Sequence, residues 1–154
     1  MNGCVIASAF GNLKVEHSEQ VIYGLDFVNA VADGDASRDA LVQEIARQLD
    51  LYSSNPCHRF DLPIDLRGTV FQQRVWSLLL EIPAGRVRTY GDIALELSSS
   101  ARAVGNACRA NPVVLIVPCH RVVAKNGAGG YMGQVSGVEM DIKRRLLHHE
   151  GLEI

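Results

Sequence analysis

The spacing of apolar residues changes period along this chain, and the changes divide it. Residues 4–10 are apolar apart from Ser8, and Gly11-Asn12 follows as a turn signal, which predicts a hairpin between residues 4–10 and 13–17. Val21, Tyr23, Leu25 and Phe27 alternate with Ile22, Gly24, Asp26 and Val28, a period-2 strand with one richly apolar face and one mixed face. Three strands in succession predict a small antiparallel sheet. From Ser37 the period becomes helical: Leu41, Ile45 and Leu49 share a face with Val42 and Ala46 beside them, and Asp35 or Ser37 is placed to cap the start. This helix is expected to cover the sheet. Residues 53–67, with Pro56, Pro63 and few periodic positions, read as a connector. The boundary therefore falls between an α/β part over 1–66 and a helical part over 67–154.

The second part opens on Thr69-Val70-Phe71-Gln72, a capping box in which hydroxyl and amide satisfy each other's backbone donors. Phe71, Val75, Leu78 and Leu79 then repeat at helical spacing, and Trp76 joins them as core, up to a stop at Pro83-Ala84-Gly85. A short helix follows over 89–97, with Thr89 and Asp92 near its start and Ile93 and Leu97 turned inward. After Ser98-Ser99-Ser100 comes a different kind of helix, 101–110, built from Ala and Gly with only Val104 and Cys108 at i, i+4 to pack inward. Gly105 costs about 1 kcal/mol relative to Ala in a helix interior, so a bare outer face must serve something else. Two helices joined by a tight turn, the second smooth and carrying Arg102 and Arg109, fit a helix-turn-helix whose second helix enters a DNA groove. Small side chains do not read base edges, so the binding would be sequence-tolerant and held by phosphates. A smooth face also serves close packing against another helix.

Asn111-Pro112 ends that helix, and the wholly apolar run over 113–117 reads as a buried strand delivering Pro118-Cys119-His120-Arg121 at its exit. Pro118 stiffens the bend. His120 and Arg121 supply a cationic setting of the kind that lowers a thiol pKa. The glycine-rich stretch over 126–133 lacks the Gly-Lys-Ser/Thr ending of a phosphate loop and reads as a pocket wall. In the last helix Val138, Ile142 and Leu146 form the inner stripe with Leu147 beside it, and Gly151 closes it. Glu150 stands at the end of the helix dipole that disfavours a carboxylate, which calls for a partner such as a histidine.

Composition narrows the setting. Hydrophobic residues at 47% and charged residues at 21% describe an ordinary soluble chain, and no apolar run approaches the ~20 residues of a membrane span. The N-terminus lacks signal-peptide character, which places the chain in the cytoplasm, where Cys4, Cys57, Cys108 and Cys119 stay thiols. Net charge is −2, but residues 1–66 hold 4 Lys/Arg against 10 Asp/Glu and residues 67–154 hold 11 against 7, so the basic half carries the candidate nucleophile. A polyanionic partner is expected there.

Ile116-Val117-Pro118-Cys119-His120-Arg121-Val122, preceded by Arg102-Ala103-Val104-Gly105 and Arg109-Ala110-Asn111-Pro112 and followed by His149-Glu150-Gly151, resembles the O6-alkylguanine-DNA alkyltransferases. Gly68-Thr69-Val70-Phe71-Gln72, Trp76 and Thr89-Tyr90-Gly91 match as well, so the resemblance runs from about Phe60 to Gly151 and is loose before that, resting on Tyr23-Gly24-Leu25. It implies an α+β chain with a ribonuclease-H-like first part and a winged-helix second part. It also implies direct, single-turnover DNA repair, in which an alkylated guanine is flipped out and its O6-alkyl group moves irreversibly to Cys119. His120 would take the thiol proton through a water and Glu150 would orient His120. Adjacent side chains on an extended segment diverge, which fits the intervening water. Tyr90 would contact the guanine and protonate it, Arg102 would fill the hole in the stack, and Asn111 would be the hinge beside the active-site turn. The resemblance further places Ala103, Gly105 and Arg109 on DNA, the Val122 carbonyl on the base, and Met132 or Gly133 near O6. The implied partner is duplex DNA bearing O6-alkylguanine, held in the minor groove by a monomer in the cytoplasm, at the nucleoid, or in a nucleus. No cofactor is implied, and Cys4, His17, Cys57 and His58 have no dependable ligand spacing, so no metal is expected. Two other classes stay open: a damage-binding module, against which the presence of Cys119 speaks, and a cysteine hydrolase using Cys119 and His120, in which a helix-turn-helix would have no role.

Overall fold

Residues 2–34, 38–133 and 137–154 are described by the computed structural model, in which the chain forms two units: Met1–Arg67 with Pro112–Val114, and Gly68–Asn111 with Leu115–Ile154. In the first, β1 (Asn2–Ile6), β2 (Leu13–His17) and β3 (Ile22–Phe27) form an antiparallel sheet in that order. β1 ends earlier than the predicted arm because the Ser8 hydroxyl and carbonyl both bond Gly11, folding residues 8–11 into the turn. Leu13 faces Phe27 and Val15 faces Leu25, but a bulge between Glu16 and His17 shifts the register so that His17 faces Ile22. One extra residue reverses the alternation locally. Ile22 is therefore buried with Leu25 and Phe27, while Val21 and Tyr23 are half-buried, against the face expected from strict period 2.

The helix α1 (Ala40–Ser54) starts later than the pattern predicted. Its cap is Asp39, whose carboxylate accepts from Leu41 N (2.9 Å) and Val42 N (3.2 Å); Asp35 and Ser37, the predicted caps, lie outside the described residues. Val42, Ile45, Leu49 and Tyr52 form its buried face, and the Tyr52 ring meets Phe10 at 5.6 Å and Phe60 at 5.5 Å. Pairs of this kind add about 0.5–1.5 kcal/mol beyond the area they bury.

The second unit begins with α2 (Val70–Leu80), where both bonds of the capping box form: Gln72 N to Thr69 Oγ1 at 3.1 Å and Thr69 N to Gln72 Oε1 at 2.9 Å. Gly68 precedes it because a Cβ there would sit 2.5 Å from the Trp76 ring. α3 (Tyr90–Glu96) is capped by Thr89 and Asp92 in a second box, and α4 (Ala101–Arg109) by Ser100, so the helix-turn-helix over 90–109 forms as the spacing predicts. Trp76 Nε1 donates to Ala107 O at 2.8 Å, fixing α2 to α4 from within the core. A two-residue parallel ribbon, β4 (Arg88–Thr89) on β5 (Val122–Val123), was not legible because pairs so short have no period.

Two predictions fail in the C-terminal stretch. The apolar run over 113–117 is buried but is no strand: Val113 bridges to Leu25, then Leu115 turns with φ 71°. Its side chains are wanted on several sides at once, which an alternating strand cannot provide. In α5 (Val138–His149), Val138 is 69% exposed and the stripe runs through Met140, Lys143 and Leu147, with Ile142 and Leu146 alongside. A fully buried lysine at position 143 read as polar and hid that row.

Candidate active site

The Cys119 thiol hangs from a turn closed by its neighbours. Asn111 Nδ2 donates to Val117 O at 2.8 Å, Cys119 N donates to the same carbonyl at 2.8 Å, and Arg121 N donates to Pro118 O at 3.0 Å. Cys119–Arg121 is thus a single 3₁₀ turn and not the extended exit of a strand. At three residues per turn, successive side chains leave it a third of a revolution apart. Cys119 enters a cleft, whereas His120 and Arg121 reach Glu150.

Glu150 is the cap of α5, and its side chain is fully enclosed. Oε2 lies 2.9 Å from His120 Nε2 and 3.0 Å from Arg121 Nη2, and Oε1 lies 2.9 Å from Arg121 Nε. Arg121 Nη1 donates to Ile82 O at 2.6 Å. Burial by itself would raise the Glu150 pKa, but the hydrogen bonds from His120 and Arg121 outweigh it and hold the carboxyl well below its usual range. Burial dominates at His120 and lowers its pKa, against the opposing pull of Glu150. His120 is therefore neutral at rest. A carboxylate only accepts, so Nε2 carries the proton and Nδ1 is the basic nitrogen. That Nδ1 is buried and meets no donor or acceptor among the described residues. The cationic setting expected around the thiol is accordingly corrected: His120 is neutral and Arg121 is spent on Glu150.

The cation beside the thiol is one that sequence reasoning missed. Lys143 Nζ donates at 2.7 Å to both Val122 O and Gly130 O and lies 5.8 Å from the centre of the Tyr90 ring. Burial lowers its pKa to about 8, opposed by the nearby Cys119 and Cys108. The Val122 carbonyl expected to meet the base is thus already bonded to a lysine, with one lone pair left, and Val122 is buried outside the cleft wall. An apolar stripe with a single lysine in it was the available signal.

The cleft measures about 420 Å³. Cys119 lies in it with Tyr90, whose hydroxyl donates to Gly130 O at 3.3 Å and whose pKa is pushed up to about 12 by burial first and by the neighbouring thiols second. α4 contributes Arg102, Gly105, Cys108 and Arg109, and the glycine-rich loop contributes Met132 and Gly133. Gly133 has φ 81°, and a Cβ there would lie 2.7 Å from Arg109 Nε, so arginine and loop touch. Ala103 is half-buried beside the cleft and is not in its wall; its N–H is used by the Ser100 cap. Cys108 is buried with Val104 as expected and also borders the cleft. In the first unit, His17 Nδ1 bonds Ser18 O and His58 Nε2 bonds Gln48, so each uses a ring nitrogen within the protein.

Residues 70–152 match the family model for the DNA-binding domain of 6-O-methylguanine DNA methyltransferase, and residues 4–66 match the model for its ribonuclease-like domain. The methylated-DNA–protein-cysteine methyltransferase of Saccharolobus solfataricus is 39% identical over 147 residues, covering 96% of this chain and 93% of that protein. Among solved structures, the Mycobacterium tuberculosis O6-methylguanine methyltransferase superposes with a TM-score of 0.81 at 35% identity, covering 97% of this chain and 92% of that one. The same bacterium's protein solved in complex with DNA gives 0.79 at 37% identity, covering 95% and 90%. With both parts of the chain matched and these relatives alike over nearly their whole length, the chain belongs to the 6-O-methylguanine DNA methyltransferase family.

Proposed function

We propose that this chain repairs DNA directly, moving the alkyl group from O6 of a flipped-out guanine to Cys119, once per molecule. The observation that carries the reading is the enclosed Glu150–His120 pair placed next to a thiol that lines a cleft walled by the second helix of a helix-turn-helix. His120 Nδ1 takes the Cys119 proton through a water; Glu150 and Arg121 keep the imidazole in the tautomer that can do so. The thiolate sulfur attacks the alkyl carbon, an S–C bond forms, the C–O6 bond breaks, and its electron pair stays on the guanine. Tyr90, a proton donor held neutral by burial, supplies the proton that the departing base takes up. Lys143 places its charge near the sulfur while it joins the Val122 and Gly130 carbonyls.

The region over 67–154 does the binding and the transfer, and 1–66 supports it. α4 lies in the minor groove of duplex DNA, with Gly105 and Ala103 permitting close approach to the backbone and Arg109 beside them. Arg102 fills the space of the extruded base. Asn111 is the hinge, holding Val117 O where the helix meets the turn. The free Val122 lone pair, Met132 and Gly133 receive the base. Flipping costs a few kcal/mol and less for a poorly paired alkylated base, which selects damage without reading sequence. The protein works as a monomer where cellular DNA is, in the cytoplasm or a nucleus.

Intact mass after incubation with excess duplex containing O6-methylguanine tests this. One methyl gained per molecule, and none in Cys119→Ala, is the expected result. Continued turnover would indicate a hydrolase, and tight binding with unchanged mass a damage sensor; either result overturns the transfer reading.

A further inference from the structure

Cys108 is a second thiol in the cleft that holds Cys119, and the chemistry above leaves it unused. It is buried in the last turn of α4 and tied to the scaffold of Cys119 through one residue. Asn111 N donates to Cys108 O at 3.2 Å, Asn111 Nδ2 donates to Val117 O at 2.8 Å, and Val117 O also holds Cys119 N at 2.8 Å. Two further side chains locate the thiols together, since Tyr90 and Lys143 are each influenced by both, and Cys119 opposes ionisation of Cys108. Cys4 and Cys57 belong to the first unit.

The two thiols are unequal. Cys119 has His120 as its base, whereas burial pushes the Cys108 pKa up to about 12 and leaves it protonated, so an oxidant in the cleft reacts at Cys119 first. On the reading of Cys119 as the alkyl acceptor, we propose that Cys108 is its resolving thiol: a hydroperoxide oxidises Cys119, and Cys108 captures the product as a Cys108–Cys119 disulfide that suspends repair reversibly. With hydrogen peroxide, the Cys119 sulfur attacks one oxygen, an S–O bond forms, the O–O bond breaks, and the thiol proton leaves with the second oxygen as water. The Cys108 sulfur then attacks the sulfenic acid on Cys119. An S–S bond forms, the S–O bond breaks, and the departing hydroxide takes the Cys108 proton as a second water. Two thiols are oxidised to one disulfide and the peroxide is reduced to two waters. The shared cleft offsets the low thiolate fraction of Cys108. Without a resolving thiol the sulfenic acid goes on to sulfinic acid, which thiols do not reverse. In a reducing compartment a disulfide of this kind is transient and serves as a sensor.

The test is oxidation with hydrogen peroxide in the absence of DNA, read by intact mass and by tryptic peptides kept unreduced. The unaltered protein is expected to lose about 2 Da, to show the peptides over 103–109 and 110–121 joined, and to lose methyl transfer. Dithiothreitol should separate the peptides and restore transfer. In Cys108→Ser and Cys108→Ala, with thermal melts to confirm folding, the same treatment should add about 32 Da at Cys119, and dithiothreitol should restore no transfer. Oxygen gained at Cys119 of the unaltered protein with the peptides unjoined overturns the inference, and so does recovery of the variants equal to that of the unaltered protein. The joined peptides are read without DNA and without any variant. Absence of methyl transfer in the fully reduced, unaltered protein would therefore sink the repair reading and not the thiol pair.

Discussion

Glu150 carries two partners in an enclosed site, and removing its charge strands one of them. Glu150→Gln leaves Arg121 buried without its counter-ion, a change of the kind that costs about 3–5 kcal/mol. A urea titration is expected to show a loss of that size together with lost alkyl transfer; unchanged stability would mean that Arg121 relaxes to solvent. His120 adds a pH dependence. Its folded pKa lies below the ordinary 6.5, so the unfolded chain takes up the proton first as pH falls. Stability is fully present above 6.5 and declines below it, and Glu150, held under its ordinary 4.5, adds a further loss at more acid pH. His120→Gln should flatten the decline that sets in below 6.5 in denaturation curves compared at equal ionic strength.

At the scale of elements, α4 gives up stability for smoothness. Gly105 lies in the helix interior with open space where a Cβ would go. Gly105→Ala should stabilise the fold by about 0.5–1 kcal/mol, seen as a raised melting temperature, and weaken binding to duplex DNA. Stabilisation without a change in DNA affinity would remove this face from the interface. The same element shows how far local pattern reached. Both capping boxes, at Thr69/Gln72 and Thr89/Asp92, and the turn between α3 and α4 follow from side chains acting within four residues of themselves. The 113–117 run and the α5 stripe did not follow, because Leu115 in a left-handed conformation and Lys143 in the core answer to neighbours distant in sequence.

For the whole molecule, the governing quantity is the division of charge, 4 basic against 10 acidic residues over 1–66 and 11 against 7 over 67–154. Binding through phosphates makes the logarithm of affinity fall with the logarithm of salt, by about 0.9 for each phosphate neutralised. Undamaged duplex should show such a slope, and Arg102→Ala should leave it in place, since that guanidinium is proposed to fill the base stack; a slope reduced by about 1 would put it on a phosphate instead. A full slope in the variant, with transfer from damaged duplex lost, would place Arg102 in the base stack.

The sequence by itself determined the first sheet, the main helices, the capped helix-turn-helix, the candidate nucleophile and the family, because each rests on adjacent residues or on a motif whose spacing is local. It also pointed to a histidine for Glu150, through the dipole of one helix. Only tertiary structure decided what surrounds the thiol. The 3₁₀ turn at Cys119, the sharing of Glu150 between His120 and Arg121, the burial of Lys143 against two carbonyls, and the place of Cys108 in the cleft wall are outcomes of packing. Each charge there is stable only because a partner from another segment meets it in a dry interior. Such pairing is settled by three-dimensional proximity, and a linear pattern of polar and apolar positions does not encode it.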